Sequence, residues 1–283
     1  MTSSKPAPTP AGSGEAAPSV VVSPEQLAHW NTVLADLTPQ EVLKWAMITF
    51  PNLYQTTAFG LTGLATVDMV SKLKKSPADT KHPIDLIFID TLHHFPQTLD
   101  LVDKLCEKYG LSTEADLHIY KPARVNTELE FAEQHGDSLW ETNDTFYDFL
   151  VKVEPSQRAY AELNVSAVLT GRRKSQGGAR GALPVVELEE ISGIIKINPL
   201  HNWTFGEVKQ YVTENQVPYN ELLDLGYRSV GDYHSTEPVR EGEDERAGRW
   251  KGKSKTECGI HEASKFSQFL KEQAEGKAQQ QAA

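Results

Sequence analysis

Apolar positions in this chain follow two different rhythms. Four short runs, LYQTTAF (53–59), IDLIFID (84–90), LHIYK (117–121) and SAVLTG (166–171), are rich in β-branched or aromatic residues and read as buried parallel strands. Amphipathic stretches lie between them: GLATVDMVSKL (63–73) follows the first run, PQTLDLVDKLCEKYG (96–110) the second, and two or more helical segments fill 127–164. This β-α-β-α order predicts an α/β fold, a doubly wound and mainly parallel sheet with helices on both faces. Ligands of such sheets bind at the carboxyl ends of the strands. Residues 1–23 are rich in Pro, Ala, Ser and Gly, have no apolar period and are expected to be disordered. The expected organisation is therefore this segment, an α/β domain over 24–240, a C-terminal tail over 241–265 and a polar end over 266–283.

Composition narrows the setting. With 39% hydrophobic and 24% charged residues in 31.4 kDa, the chain can bury a large core. No run approaches the roughly 20 apolar residues of a membrane span, and no charged-then-apolar leader opens the chain. Two cysteines cannot build a disulfide framework, so a reducing, cytoplasmic setting is expected. A net charge of −11 argues against general nucleic-acid binding, yet a local cluster of Arg and Lys can still hold an anionic substrate.

The candidate chemistry falls at the strand tips. TTAFGLTG (56–63) carries Thr57, Ala58, Phe59 and Gly60 into a helix that Thr62 is expected to cap, and such a helix start offers free backbone N–H groups to an anion. It is neither a dinucleotide fingerprint nor a Walker loop. After the second strand, Asp90 and Thr91 in FIDTLHHFPQT (88–98) either merely finish the strand ahead of a helix opened by Pro96 or form a polar rim that hydrogen-bonds a nucleoside. The adjacent His93 and His94 lack further His or Cys at ligand spacing, so no metal site is expected there. After the fourth strand, TGRRKSQGGARGALP (170–184) gathers Arg172, Arg173, Lys174 and Arg180 with Gln176 around a Gly-rich loop, a composition that binds phosphate or sulfate oxygens.

Near the end of the chain four acids in EGEDE (241–245) give way to five bases in RAGRWKGKSK (246–255), which lead to Cys258. Nearby cations favour a thiolate, whereas Glu257 opposes it. Cys106 falls on the apolar helical repeat of Leu99, Val102 and Leu105 and reads as a small core residue.

Together these segments resemble the phosphoadenylyl-sulfate (PAPS) reductases of sulfate assimilation, in the cluster-free form of fungi and many bacteria. The resemblance runs over roughly residues 40–265 in the same order, and ECGIH (257–261) is its most specific element. TTAFGLTG is similar to the family's modified pyrophosphate loop, IDT to its nucleoside-contacting element and GRRKSQGGAR to its arginine loop. KVEP (152–155) is similar to a Lys-x-x-Pro element that places Lys152 among sulfate-facing cations, and RAGR to a pair of arginines, Arg246 and Arg249. Two departures stand out: Leu92 where the family often has Gly, and Ser175-Gln176 in place of Gln-Ser, with one extra residue.

The resemblance implies an adenine-nucleotide alpha-hydrolase-like fold with a mobile tail. It also implies a reaction in which the Cys258 thiolate attacks the sulfur of PAPS, expels adenosine 3′,5′-bisphosphate and leaves an S-sulfocysteine. His261 either orients the reacting groups or only starts a helix. One cysteine beyond Cys258 is too few for an iron–sulfur cluster, no flavin or nicotinamide fingerprint is present, and no cofactor is expected. Releasing sulfite then needs an external dithiol, thioredoxin. A homodimer is left open. So are a cluster-free adenylyl-sulfate reductase, a nucleotidyltransferase similar to flavin-adenine-dinucleotide synthetase, and a non-catalytic nucleotide-binding protein.

Overall fold

The computed structural model describes residues 22–74, 81–189, 191–252, 255 and 257–271. Most of the N-terminal segment expected to be disordered, and the end of the chain from 272, lie outside these residues. Of that segment, Val22 is buried and Ser23 caps the first helix.

Two helices precede the sheet, α1 (Pro24–Leu34) and α2 (Pro39–Thr49). Each opens the same way: Ser23 and Thr38 accept from the backbone N–H three residues on, Gln26 and Glu41 return the bond, and a proline fills the first turn. The remaining elements are β1 (Leu53–Thr57), α3 (Leu61–Ser71), β2 (Leu86–Ile89), α4 (Pro96–Tyr109), β3 (Leu117–Tyr120), α5 (Glu128–His135), α6 (Leu139–Thr142), α7 (Asp144–Asp148), α8 (Glu154–Glu162), β4 (Ala167–Leu169), β5 (Val186–Leu188), β6 (Ile195–Ile197) and α9 (Phe205–Glu214).

The sheet has six strands in the order β3-β2-β1-β4-β6-β5, all parallel except β5, which runs antiparallel to β6. All four expected strands are present, each shorter than its apolar run. β1 leads to β2 and β3 on one side and has β4 on the other, so the winding reverses between β1 and β4. That crevice is where such sheets bind ligands. Both faces are covered. Phe88, Leu169 and Ile197 pack with Leu43, Val67, Leu101 and Val208, whereas Ile87, Ile89 and Val168 pack with Ala159 and Tyr160 of α8. Asn31 of α1 exchanges two hydrogen bonds with the backbone of Val186, which satisfies part of the β5 edge.

On α4 the apolar stripe is narrower than expected. Leu99 is 45% exposed, while Cys106 is half-buried against the core. Burial pushes the Cys106 thiol up from its ordinary value, with Asp103 and Asp116 adding to it. No described helix is long and apolar enough to cross a membrane.

Between α7 and α8 the helix continues through a π-helical stretch, Phe149–Val153, with Glu154 N–H donating to Phe149 O. Pro155 explains it. Proline has no N–H for the carbonyl four residues back, and its ring crowds that carbonyl, so the helix widens by one residue to pass.

Candidate active site

At the carboxyl edge of the sheet the loops enclose a cavity of about 230 Å³. Its floor is the turn from β1 into α3. Phe59 takes a left-handed conformation (φ 55°), held by the bond from its N–H to Thr57 Oγ1 (2.9 Å) and by packing of its ring on Phe88. Gly60 then starts α3, whose first N–H groups have no partner within the helix and border the cavity. Thr62 is not the cap expected of it. It lies inside the first turn, and its hydroxyl accepts from Arg173 Nε at 2.8 Å. Close approach explains the neighbouring glycine: a methyl on Gly171 would lie 3.0 Å from the backbone N of Gly63.

The second loop differs from expectation. Asp90 is not among the residues around the cavity; it accepts from Leu92 N–H (2.9 Å) and lies 3.6 Å from Lys121. Thr91 does border the cavity, but its hydroxyl donates to Asp232 at 2.7 Å. Asp232, 1% exposed, also accepts from Tyr147 Oη (3.2 Å) and from Lys152 Nζ (2.6 Å). Lys152 comes from the π-helical stretch and donates as well to Asp148 (2.9 Å). Burial disfavours its charge, but Asp148 and Asp232 outweigh that and hold its pKa above the ordinary value. His93 is buried among Phe131, Trp140 and Tyr147, and its Nδ1 faces the carbonyl of Thr91, as fits a core histidine.

The arginine loop divides its labour. Arg173, 2% exposed, grips both oxygens of Glu245 at 2.7 Å and also donates to Ser175 and Thr62, so it ties the tail to the β1–α3 turn. Arg172 pairs with Glu187, and Gln176 Oε1 accepts from Arg180 and from Arg173 N–H. Arg180 turns its fork to Glu257.

The tail lies folded across the mouth. Arg246 and Arg249 flank the ring of Trp250, at 5.5 and 4.5 Å from its centroid. Cys258 borders the cavity and starts a single 3₁₀ turn, Gly259–His261. Ile260 O accepts from Lys196 Nζ (3.0 Å), whose charge is also matched by Glu189. The polar end expected from residue 266 begins instead with an apolar anchor: Phe266 and Phe269 pack on Phe149.

Lys152, Arg172, Lys196, Arg246 and Arg249 all lie close enough to feel a negative charge on Cys258. Burial, and next the charge of Arg180, brings Arg172 and Arg246 down to about 10, so both stay cationic at neutral pH. Burial, followed by Arg172, Lys196, Arg180 and Arg246, holds His261 well below its usual value, so its imidazole is neutral. Buried here, Arg249 Nε and His261 Nδ1 have no hydrogen-bond partner among the described residues. The site is thus a thiol and a neutral imidazole among cations, built to receive an anion.

The model of the phosphoadenosine phosphosulfate reductase domain matches residues 52–238, about two thirds of the chain. The chain belongs to the PAPS reductase family. It is 61% identical over 256 residues to a phosphoadenosine phosphosulfate reductase of Saccharomyces cerevisiae, covering 90% of this chain and 97% of the yeast protein. The crystal structure of a PAPS reductase from Candida auris, a phosphate complex, is 65% identical with a TM-score of 0.69, covering 77% of this chain and all of that one. An adenosine 5′-phosphosulfate reductase of Halalkalibacterium halodurans is 36% identical over 233 residues, covering 82% of this chain and 95% of the bacterial protein.

In this PAPS reductase family member, several residues around the cavity are ones the sequence alone does not single out: Tyr160, Lys196, Asp232 and the segment Tyr227–Gly231. Lys196 sits between two isoleucines in a three-residue strand and looks like an outward position, yet it is 3% exposed. Gly231 lies close under the Arg249 guanidinium, which any side chain at this position would displace. A Gly-Asp pair after an apolar residue was the available signal.

Proposed function

We propose that this chain reduces PAPS to sulfite and adenosine 3′,5′-bisphosphate in sulfate assimilation, through an S-sulfocysteine on Cys258 and with thioredoxin as electron donor. One observation carries the reading: Cys258 borders the same cavity as Lys152, Arg172, Arg246, Arg249 and the turn into α3. The turn and the arginine loop would hold phosphate groups, with backbone N–H donors and guanidinium forks as the binding elements. Arg249 and His261, each with an unpartnered buried nitrogen, would face the sulfonate oxygens.

The Cys258 thiolate attacks the sulfonate sulfur. A sulfur–sulfur bond forms, the sulfur–oxygen bond to the 5′-phosphate breaks, and the bisphosphate leaves with the electron pair. The cations around Cys258 offset the repulsion between thiolate and sulfonate. A thioredoxin thiolate then attacks Cys258 Sγ and expels sulfite, and its second thiol resolves the mixed disulfide, so the dithiol supplies both electrons. Cys106, half-buried on α4, is not among the residues around the cavity. A nucleotidyltransferase or a passive nucleotide-binding protein would have no use for a thiol in this cavity.

Intact-protein mass analysis after incubation with PAPS and no reductant should show one added SO₃, absent from Cys258→Ser. Absence of the adduct, or its presence on the variant, refutes the mechanism. Parallel sulfite release with PAPS and with adenylyl sulfate decides between the two nucleotides; faster turnover of adenylyl sulfate would overturn the substrate assignment.

A further inference from the structure

Glu257 is an anomaly on the proposed reaction. It places a negative charge next to a thiol that must ionise and meet an anion, and charge alone would disfavour a carboxylate there. Yet it is buried, 6% exposed, and its pairing is specific. Arg180, itself 7% exposed, donates from Nε and Nη2 to the two carboxylate oxygens, the latter at 2.6 Å, and Arg246 Nη2 lies 3.7 Å away. The third donor group of Arg180 serves Gln176. The guanidinium fork that an anion would use is thus occupied by the tail's own carboxylate.

The opposite side of Cys258 is held differently. Gly259 is wedged so closely that a methyl there would lie 2.5 Å from Val153 Cγ2 and 2.9 Å from Phe266 Cε2. Lys196 holds the carbonyl of Ile260. These contacts fix the tail after the cysteine. Before it, residues 253, 254 and 256 are outside the described chain, Lys255 pairs with Asp148 at 2.6 Å, and Glu257 adds a buried ion pair directly beside Cys258.

We infer that Glu257 is a positioning residue that latches the tail: its carboxylate, gripped by Arg180 and Arg246, seats Cys258 at the cavity, and it does so in competition with anions for the same two arginines. This rests on the reductase reading for its consequence, but the latch itself is a property of the ligand-free protein. An anion bound by Lys152, Arg172, Arg249 and His261 leaves the latch closed, with the thiol in place for attack. An anion that takes Arg180 from Glu257 frees the thiol to leave the cavity. The two effects have opposite signs. Removing the carboxylate should make anion binding no weaker, because Arg180 and Arg246 are released, while making sulfur transfer slower, because the thiol is no longer held.

The test is the rate at which iodoacetamide alkylates Cys258 in the ligand-free protein, read by peptide mass analysis. Rates are compared at the high-pH plateau, where the thiol is fully ionised in every variant. Cys106 in the same molecule reports any general loosening. Glu257→Gln and Arg180→Lys should each speed Cys258 alkylation by about tenfold or more, with Cys106 unchanged, and Glu257→Asp should fall between them and wild type. Glu257→Gln should also bind adenosine 3′,5′-bisphosphate at least as tightly as wild type while forming the SO₃ adduct more slowly in a single turnover. Wild-type alkylation rates in both Glu257→Gln and Arg180→Lys, an equal rise at Cys106, or weaker bisphosphate binding in Glu257→Gln would overturn the latch. Failure of wild type to form the adduct while the alkylation pattern holds would sink the reductase reading and leave the latch standing.

Discussion

Replacing Asp232 by Asn isolates the buried charge that positions Lys152. The carboxylate is 1% exposed and collects Lys152 Nζ at 2.6 Å, Thr91 Oγ1 at 2.7 Å and Tyr147 Oη at 3.2 Å. Asn keeps the shape, loses the charge and turns an NH₂ group toward donors. Breaking a buried pair by removing one partner typically costs about 3–5 kcal/mol. Asp148 still holds Lys152 at 2.9 Å, so a loss of ~2–4 kcal/mol is expected, read from urea unfolding at pH 7. Lys152→Met combined with Asp232→Asn should be less damaging than the two single losses added, by ~1–3 kcal/mol. The pH dependence has a fixed sign. Burial pushes the Asp232 carboxyl up, but Lys152, His94 and His234 outweigh it and hold it well below the usual range. Its contribution is therefore complete above the unfolded value of 3.8 and declines as the pH falls below it, so the gap between wild type and variant should close in acid. A loss under about 1 kcal/mol, strict additivity with Lys152→Met, or a gap that persists unchanged into acid would refute the reasoning.

Three further outcomes are expected. Gly259→Ala, whose methyl meets Val153 and Phe266, should slow single-turnover adduct formation by about 100-fold while leaving the melting temperature of the domain nearly unchanged. Lys196→Met alone strands the buried Glu189, but Lys196→Met with Glu189→Leu should regain stability to within about 1 kcal/mol of wild type and still form the adduct more slowly, separating the pair's structural part from its charge at Cys258. His261 is held neutral by burial and by the cations around it, whereas the unfolded chain protonates it near pH 6.5. Stability should thus fall as the pH drops below 6.5, by up to about 1.4 kcal/mol per unit from this group, and His261→Gln should remove that part of the slope in thermal or urea unfolding.

The frame of the fold was readable because its signals are local. Each of the four strands expected from the sequence is an apolar run followed by a turn, and Pro96 and Gly110 mark both ends of α4. The β5–β6 hairpin escaped because each strand has only three residues, and Glu189 and Lys196, which look like surface positions, are buried as a pair. The helices α1 and α2 had legible signals in Ser-Pro-Glu-Gln and Thr-Pro-Gln-Glu, capping boxes that lie ahead of the first strand. In the site, the cations and the thiol could be found from composition and motif. Their partners could not, since Lys152 and Asp232 are 80 positions apart, Arg180 and Glu257 77, and Arg173 and Glu245 72. Asp90 shows the converse: its strand-tip position suggested a ligand contact, but the next turn of backbone takes it toward Leu92 and Lys121.

The widened turn at Phe149–Val153 makes residue count, rather than residue type, the guardian of the site. It aims Lys152 into the cavity while Phe149 and Val153 support the tail. Deleting one residue there would take away the extra residue that accommodates Pro155, and every side chain before the deletion would swing by about 100° relative to those after it. The cation and the tail's apolar seat would then no longer point to their partners together. A length change that most surface helices absorb would here leave a protein unable to bring thiol and cation to the same place.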